Sequence, residues 1–289
     1  ATVKPQFDGT TYSFMYGDVL FLVYSLQDYW KGAYSLSACT STYLTNDVGN
    51  WFREQVEAHP EAKWRVALVH KNIFSGSGHQ EDEETPLFRA TMLPIMKECE
   101  IDVMLQGHDH CYEVIGPVNP DTKTPILNAI EDLEPTILSA SRNKGGTFTV
   151  NDGTLYFIGA TCGAKRYNPN SKAVMEADLS KHKVENYYDL FTGMFCQPGA
   201  PSYSVFTVDG DTITVNSYRI YKGKAPELFN TFTIKRTKAH GSGGLIGQMI
   251  QEQGAAKVIY NGHIYILRAD IAYNALGQAV AEENILSKL

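Results

Sequence analysis

The chain has 289 residues, 43% of them hydrophobic and 20% charged, a composition that excludes wholesale disorder. Twenty-five basic against 32 acidic side chains give a net charge of −7, which argues against a nucleic-acid or anionic-membrane partner. No apolar run approaches the ~18 residues that a membrane-spanning helix needs.

The sequence begins at Ala1 with no charged and apolar leader pattern, so it reads as a processed or truncated product. Residues Thr11–Phe14 and Val19–Ser25 flank Gly17-Asp18, a hairpin signal. The run Val19-Leu20-Phe21-Leu22-Val23-Tyr24 is apolar without alternation, as in a strand buried on both faces. Thr45-Asn46-Asp47 predicts the cap of a helix to about His59, with Val48, Trp51, Phe52, Gln55 and Val56 at helical spacing. Arg65–His70 is the next strand. Pro86 opens a second helix whose apolar face would be Leu87, Ala90, Leu93 and Met96, ending near Cys99. Ile101–Gln106 is a further strand, so this region reads β-α-β-α-β, a sheet covered by helices.

From Cys111 onward strands and loops dominate. Leu155–Gly159, Tyr203–Val208, Thr212–Ser217 and Leu228–Ile234 read as strands, with a turn at Asp209-Gly210-Asp211. Residues Asn168–Asp189 read as a polar insertion. His240-Gly241-Ser242-Gly243-Gly244 marks a linker. Beyond it Lys257–Leu267 alternates around Asn261-Gly262, and Ala272–Val280 adds a strand. The predicted organisation is a main domain over 1–238, a linker over 239–254 and a small β unit over 255–289. That tail resembles short β segments of secreted bacterial envelope proteins, which implies an extracytoplasmic location. The five cysteines contain no C-x-x-C pair and read mostly as core residues, one disulfide remaining open.

Chemistry concentrates at Gly107-His108-Asp109-His110, straight after the buried strand Ile101–Gln106. The carboxyl ends of strands in layered sheets are where ligand sites form, and Gly107 permits the tight turn that lets both imidazoles converge. Neutral imidazole suits zinc, iron or manganese. His70 ends the strand Val66-Ala67-Leu68-Val69 and can face the same crevice. Three histidines from two strand ends make a metal half-site.

The order Val66–His70, Gly/Ser loop, helix, strand, then Gly107-His108-Asp109-His110-Cys111-Tyr112-Glu113 resembles the calcineurin-like metallophosphoesterases, most nearly the purple acid phosphatase branch. Thr11–Phe21 resembles the strand pair preceding the histidine motif there, and Tyr203–Arg219 the closing hairpin of the catalytic domain. The likeness covers roughly residues 10–237. It implies an α/β (α+β) fold, a four-layer α/β/β/α sandwich, with two divalent or trivalent ions (Zn, Fe or Mn). His70 and His108 would bind one metal and His110 the other, and a bridging hydroxide would attack a small phosphate-ester substrate.

The family's upstream D-x-H, G-D and G-N-H-[DE] motifs have no counterpart here: Gly17-Asp18 is a hairpin turn, and Gly49-Asn50 precedes Trp51 inside a helix. Two divalent cations bring +4 and three neutral imidazoles offset none of it. The expectation is therefore that the chain carries only the histidine half of the site, its N-terminal half missing, and holds one metal weakly or none. The rival reading is a non-catalytic, envelope-associated binding protein on a degenerate scaffold. An incomplete sandwich would expose apolar sheet, which predicts a homodimer or segment exchange.

Neighbouring residues are weighed against plainer readings. His79, in Ser75-Gly76-Ser77-Gly78-His79, stands like an outer-shell histidine that binds substrate or protonates the leaving group, against a solvated loop histidine. Lys71 would add charge near a bound phosphate, against a surface residue. Lys71-Asn72 after His70, and Val114 after Tyr112-Glu113, depart from the purple branch, so its substrate specificity is not carried over. Arg89 reads as a solvated helix residue and Glu81-Asp82-Glu83-Glu84 as a solvated acidic turn. Cys162 lacks a partner base outside the metal set. Ser75 and Ser77 lack the G-x-S-x-G elbow, and Gly76-Ser77-Gly78 lacks the ending of a P-loop.

Overall fold

The computed structural model describes residues 9–26, 39–120, 146–171, 174, 190–241, 255–260, 263–268, 271–274 and 279–280. The insertion expected over Asn168–Asp189 lies largely outside them. The chain divides into two compact units, Ala1–Lys238 and Ala239–Leu289.

The first unit is mixed α/β, with two sheets and few helices. β1 (Tyr12–Tyr16) and β2 (Val19–Val23) form the expected hairpin, with Gly17 at φ +57° in the turn. A π-helical segment, Cys39–Val48, runs into α1 (Gly49–Ala58). β3 (Trp64–Leu68), α2 (Glu84–Glu98) and β4 (Val103–Gln106) follow. β5 (Tyr112–Val118), β6 (Thr147–Thr149), β7 (Thr154–Gly159) and β8 (Phe191–Cys196) come next. β9 (Ser202–Asp209), β10 (Thr212–Arg219) and β11 (Glu227–Lys235) complete the unit. The larger sheet has the order β1-β2-β3-β4-β7-β5-β8, and the smaller has β6-β11-β10-β9. From β2 through β3 and β4 to β7 all neighbours are parallel, so their carboxyl ends lie on one edge.

The unbroken apolar character of β2 has a direct cause. Leu20 and Leu22 join a core with Phe52 of α1 and Phe88, Met92, Ile95 and Met96 of α2. The opposite face, with Val19, Val66, Val103 and Phe157, joins a second core with Ile213, Val215, Phe232 and Ile234 of the smaller sheet. Each fully buried aliphatic side chain contributes roughly 1.5–3 kcal/mol. Both described α-helices belong to the first core.

Two helix expectations need correction. The residue before α1 is Val48, with no side-chain cap, so Thr45-Asn46-Asp47 does not start the helix. In α2 the inward face is Thr85, Phe88, Met92, Ile95 and Met96, while Leu87 is exposed. Apolar residues occur on two phases of this helix. The inward face also carries Arg89, which is 5% exposed, donates Nε–H to the Ile73 carbonyl at 2.7 Å and lies over the Phe74 ring. Arg89 is a buried clamp, not a solvated residue.

A charged cluster ties the sheets together at the opposite edge. Asp102, fully buried, accepts from Arg236 Nη1 at 2.6 Å and from the Arg65 backbone N–H at 2.8 Å, and Glu100 lies within 3.6 Å of both guanidinium groups. Trp64 Nε1–H donates to Gly210 O at 2.9 Å, again between the sheets.

The second unit is a four-stranded antiparallel sheet, β12 (Ala255–Tyr260), β13 (His263–Arg268), β14 (Ile271–Asn274) and β15 (Ala279–Val280), in sequence order. Tyr260 pairs with His263. The Asn261-Gly262 pair between them lies outside the described residues.

Candidate metal centre

His70 lies just past β3, and His108 just past β4, its parallel neighbour. Gly107 N–H donates to His70 O at 2.9 Å, drawing the two strand ends together. A Cβ at Gly107 would meet His70 O at 3.1 Å and His70 Nδ1 at 3.2 Å, so any larger residue would push His70 aside. His108 adopts φ +71°, a left-handed turn that swings its ring back over His70. The result is His108 Nδ1 at 3.3 Å from His70 Nε2.

The loop between β3 and α2 is bolted from beneath. Gln106 Oε1 accepts from the N–H groups of Ile73 (2.7 Å) and Phe74 (3.3 Å). Asp109, the fully buried residue inside the histidine motif, accepts from Ser75 Oγ, Asn72 Nδ2 (3.1 Å) and the His79 backbone N–H (3.3 Å). Glu113 accepts from Gly76 N–H at 3.1 Å. A Cβ at Gly76 would lie 2.3 Å from the Phe195 ring. This loop is held in one shape.

Its end presents His79. The imidazole stacks on His108 at 3.7 Å between centroids, and Nδ1 lies 3.1 Å from Asp82 Oδ2. Asp82 Oδ2 is also 3.9 Å from His108 Nε2 and 3.7 Å from Lys71 Nζ. His79, Asp82 and His108 thus place three ligand-type atoms within 4.8 Å of one another. His110 stands beyond, stacked on Tyr167 at 4.8 Å, with Nδ1 3.0 Å from Lys165 O. A cleft of about 490 Å³ opens beside His70 at the carboxyl ends of β2, β3 and β4, lined by Val23, Tyr24, Leu68, His70 and Gly107.

Burial, then the neighbouring His79, Lys71 and His70, pushes the His108 pKa down from 6.5 to about 4. Burial and then His110 lower that of His70 as well. Both shifts favour the neutral ring, the state in which imidazole binds metal. Beneath them burial raises the Asp109 carboxyl, against the Ser75 hydrogen bond, and raises Glu113 further, with Asp109 nearby adding to it.

The pH consequence of His108 has a definite sign. Between 6.5 and about 4 the unfolded chain takes up a proton that the folded ring refuses. Stability from this group is therefore complete above 6.5 and falls as pH drops through that window. The raised carboxyls act in the opposite sense, so the comparison must be between variants. Urea unfolding of His108→Gln is expected to show a smaller loss of stability between pH 7 and pH 4 than the unsubstituted protein. An unchanged slope would refute the depressed pKa.

Against known proteins, no family model matches the chain. Purple acid phosphatase 3 of Arabidopsis thaliana is 35% identical over 81 residues, 27% of this chain and 20% of that protein. Purple acid phosphatase 4 of the same plant is 31% identical over 100 residues, 34% of this chain and 27% of that protein. The matched stretch thus spans about a quarter or less of either relative. The solved structure of a purple acid phosphatase from yellow lupin (Lupinus luteus) seeds aligns with TM-score 0.48 and 16% identity, over 78% of this chain and 32% of that one. A stretch of the chain is thus similar to part of the purple acid phosphatases.

Measured against the expectations drawn from that branch, His70 meets His108 and His108 stacks on His79, while His110 lies against Tyr167, whose ring also meets His79. Lys71 needs correction: it is 1% exposed, and its ammonium is paired with Glu84. It is neither a surface residue nor a free cation for phosphate. The acidic turn is not merely solvated, since Asp82 faces the histidines and Glu84 is buried. Asp82 sits three residues after His79, a spacing that faces both inward on the short 3₁₀ turn Gly78–Glu81 and its exit. That spacing was the available signal. Tyr167 gave none. Among the described residues Cys99, Cys111, Cys162 and Cys196 are free thiols, and only Cys162 is exposed. No described helix is long and apolar enough to cross a membrane.

Proposed function

We propose that this chain supplies the histidine half of a two-metal phosphoesterase centre, acting on small phosphate esters when the remaining ligands are present. The observation that carries the reading is the convergence of His70 and His108 at two parallel strand ends, with His110 on the same motif. The donor set fits Zn, Fe or Mn through imidazole nitrogen, but only for half of a dinuclear site. Among the described residues the one carboxylate facing the cluster is Asp82, because Asp109 is turned inward and engaged by Asn72, Ser75 and His79. When bound, two cations would supply a hydroxide nucleophile at neutral pH and offset charge growing on the phosphoryl oxygens.

The chain's own residues have distinct tasks on this reading. Gly107 and the turned backbone of His108 aim the imidazoles, and Asp109 and Gln106 hold the loop that presents His79. Asp82 Oδ2 lies 3.1 Å from His79 Nδ1; in the doubly protonated ring Asp82 would accept from Nδ1–H while Nε2–H could donate to a phosphate or pass a proton to a leaving group. The helix-covered large sheet and the smaller sheet would be three of the family's four layers. An extracytoplasmic location, with the C-terminal β unit as a separate module after a linker, and self-association through the exposed Tyr12, Phe14 and Tyr16 edge belong to the same proposal.

The test is hydrolysis of p-nitrophenyl phosphate and its bis-ester by the product of the whole coding sequence that contains this chain, with Zn²⁺, Mn²⁺ or Fe added. Activity that disappears in His108→Ala and His110→Ala is expected, while the 289-residue chain alone stays inactive. Hydrolysis indifferent to both substitutions would refute the assignment. No hydrolysis at all would favour the second reading, a non-catalytic binding protein, for which the inward-turned Asp109 speaks.

A further inference from the structure

His108 offers its two ring nitrogens to two different neighbours. Nδ1 is 3.3 Å from His70 Nε2, and Nε2 is on the other side, 3.9 Å from Asp82 Oδ2. A neutral imidazole has one N–H and one lone pair. If Nδ1 carries the proton, it donates to His70 and the lone pair at Nε2 points toward Asp82 and His79. We infer that this chain by itself binds a single divalent cation, Zn²⁺ by its donor chemistry, at His79 Nδ1, Asp82 Oδ2 and His108 Nε2. His70 then serves as a hydrogen-bond acceptor that orients His108, not as a ligand. The inference goes beyond the phosphoesterase reading, which puts the cations on His70, His108 and His110.

Three observations support it. First, ligands of a zinc ion at about 2.0–2.2 Å lie roughly 3.0–3.5 Å from each other. Two of the separations are 3.1 Å (His79 to Asp82) and 3.9 Å (Asp82 to His108), and all three ligand atoms lie within 4.8 Å of one another, so the cation enters with a closure of the pocket and a swing of the two stacked rings. Second, the set of two imidazoles and one carboxylate brings a negative charge, which the three-histidine set lacks. Lys71 does not cancel it, because its ammonium is paired with Glu84 while Asp82 is 3.7 Å away. Third, the ligands are already oriented by outer contacts. His79 is held through its backbone N–H to Asp109 (3.3 Å) and its carbonyl to Thr85 Oγ1 (2.9 Å), and His108 through Nδ1 to His70. The three positions left on a six-coordinate ion, or one on a four-coordinate ion, face solvent, since His79, Asp82 and His108 are all partly exposed.

The experiment is calorimetric titration of ZnCl₂ into the full 289-residue chain at neutral pH, with circular dichroism to establish that each variant is folded. One Zn²⁺ per chain is expected. Asp82→Asn and His79→Gln are expected to weaken binding by more than ~100-fold, His70→Ala by about 10–100-fold as an outer-contact loss, and His110→Gln not at all. Long-range ¹H–¹⁵N spectra of the unsubstituted chain give an independent reading: on Zn²⁺ addition the His108 signals should show Nδ1 protonated and Nε2 metal-bound. Binding that survives Asp82→Asn and is lost in His110→Gln would overturn the inference and leave the three-histidine site standing. Absence of Zn²⁺ uptake by the folded chain would also overturn it, without bearing on the phosphoesterase reading, which hydrolysis by the whole gene product decides.

Discussion

Glu84→Leu is expected to destabilise the first unit by about 3–5 kcal/mol, whereas Lys71→Met combined with Glu84→Leu should fall within about 1–2 kcal/mol of the unsubstituted protein. Lys71 is 1% exposed, and its ammonium sits against the Glu84 carboxylate, itself 10% exposed in its side chain. Burial pulls the Lys71 pKa down, and the nearby Asp82 opposes that shift. Removing Glu84 leaves a cation in the protein interior facing the partly exposed Asp82 at 3.7 Å. Removing both charges replaces the pair with aliphatic volume next to the first core. The loss of an acidic residue from the first turn of α2 contributes only about 0.3–1 kcal/mol and appears equally in both variants. Urea unfolding of the two single variants and the double variant measures the coupling. Near-additive losses would show that Lys71 and Glu84 do not depend on one another. The same pair bears on the site, because a Lys71 released from Glu84 would move onto Asp82 and compete with any cation there.

Much of the fold was legible because both faces of the larger sheet are covered. The run Val19–Tyr24 reads as a doubly buried strand, and it is one, with Leu20 and Leu22 turned to the helices and Val19 to the smaller sheet. The turn at Asp209-Gly210-Asp211 was equally plain, with Gly210 at φ +54° between β9 and β10. What escaped has physical reasons. β5 (Tyr112–Val118) was not among the strands read from the sequence; it contains Gly116-Pro117, and its pairing with β7 shifts register between Ile115 and Val118. The face of α2 was misjudged because its buried stripe includes Arg89 and Glu84, whose partners Ile73 and Lys71 lie on a loop that sequence spacing cannot position.

The site was legible in its ligand types and not in its groupings. His70 and His108 were readable from their strand ends, since parallel neighbours put those ends side by side. Asp82 was hidden in an acidic run whose ordinary fate is solvation, and only the tight 3₁₀ turn at Gly78–Glu81 brings it to His79. Asp109 was hidden in plain view. It stands between two histidines, yet His108 and His110 are partly exposed while it is fully buried.

That inward aspartate carries the other large effect. Asp109→Ala should cost about 3–5 kcal/mol, because it strips acceptors from Ser75 Oγ, Asn72 Nδ2 and the His79 backbone N–H at once, each worth about 1–3 kcal/mol when left buried and unpaired. The sum is discounted, as donors sharing one acceptor are not independent. Asp109→Asn keeps an oxygen for one or two of these donors, and burial already raises the Asp109 pKa toward the neutral form, so its cost should be well under half as large. The two variants also separate stability from site geometry. In Asp109→Ala the loop 72–79 loses its anchor, and the His79 ring should leave its stack on His108, visible as loss of the nuclear Overhauser contacts between the two imidazoles. In Asp109→Asn those contacts should persist. If Asp109→Ala keeps both its stability and the stacked rings, then Gln106, Arg89 and Glu113 suffice to shape the loop, and the aspartate within the histidine motif is not what positions His79.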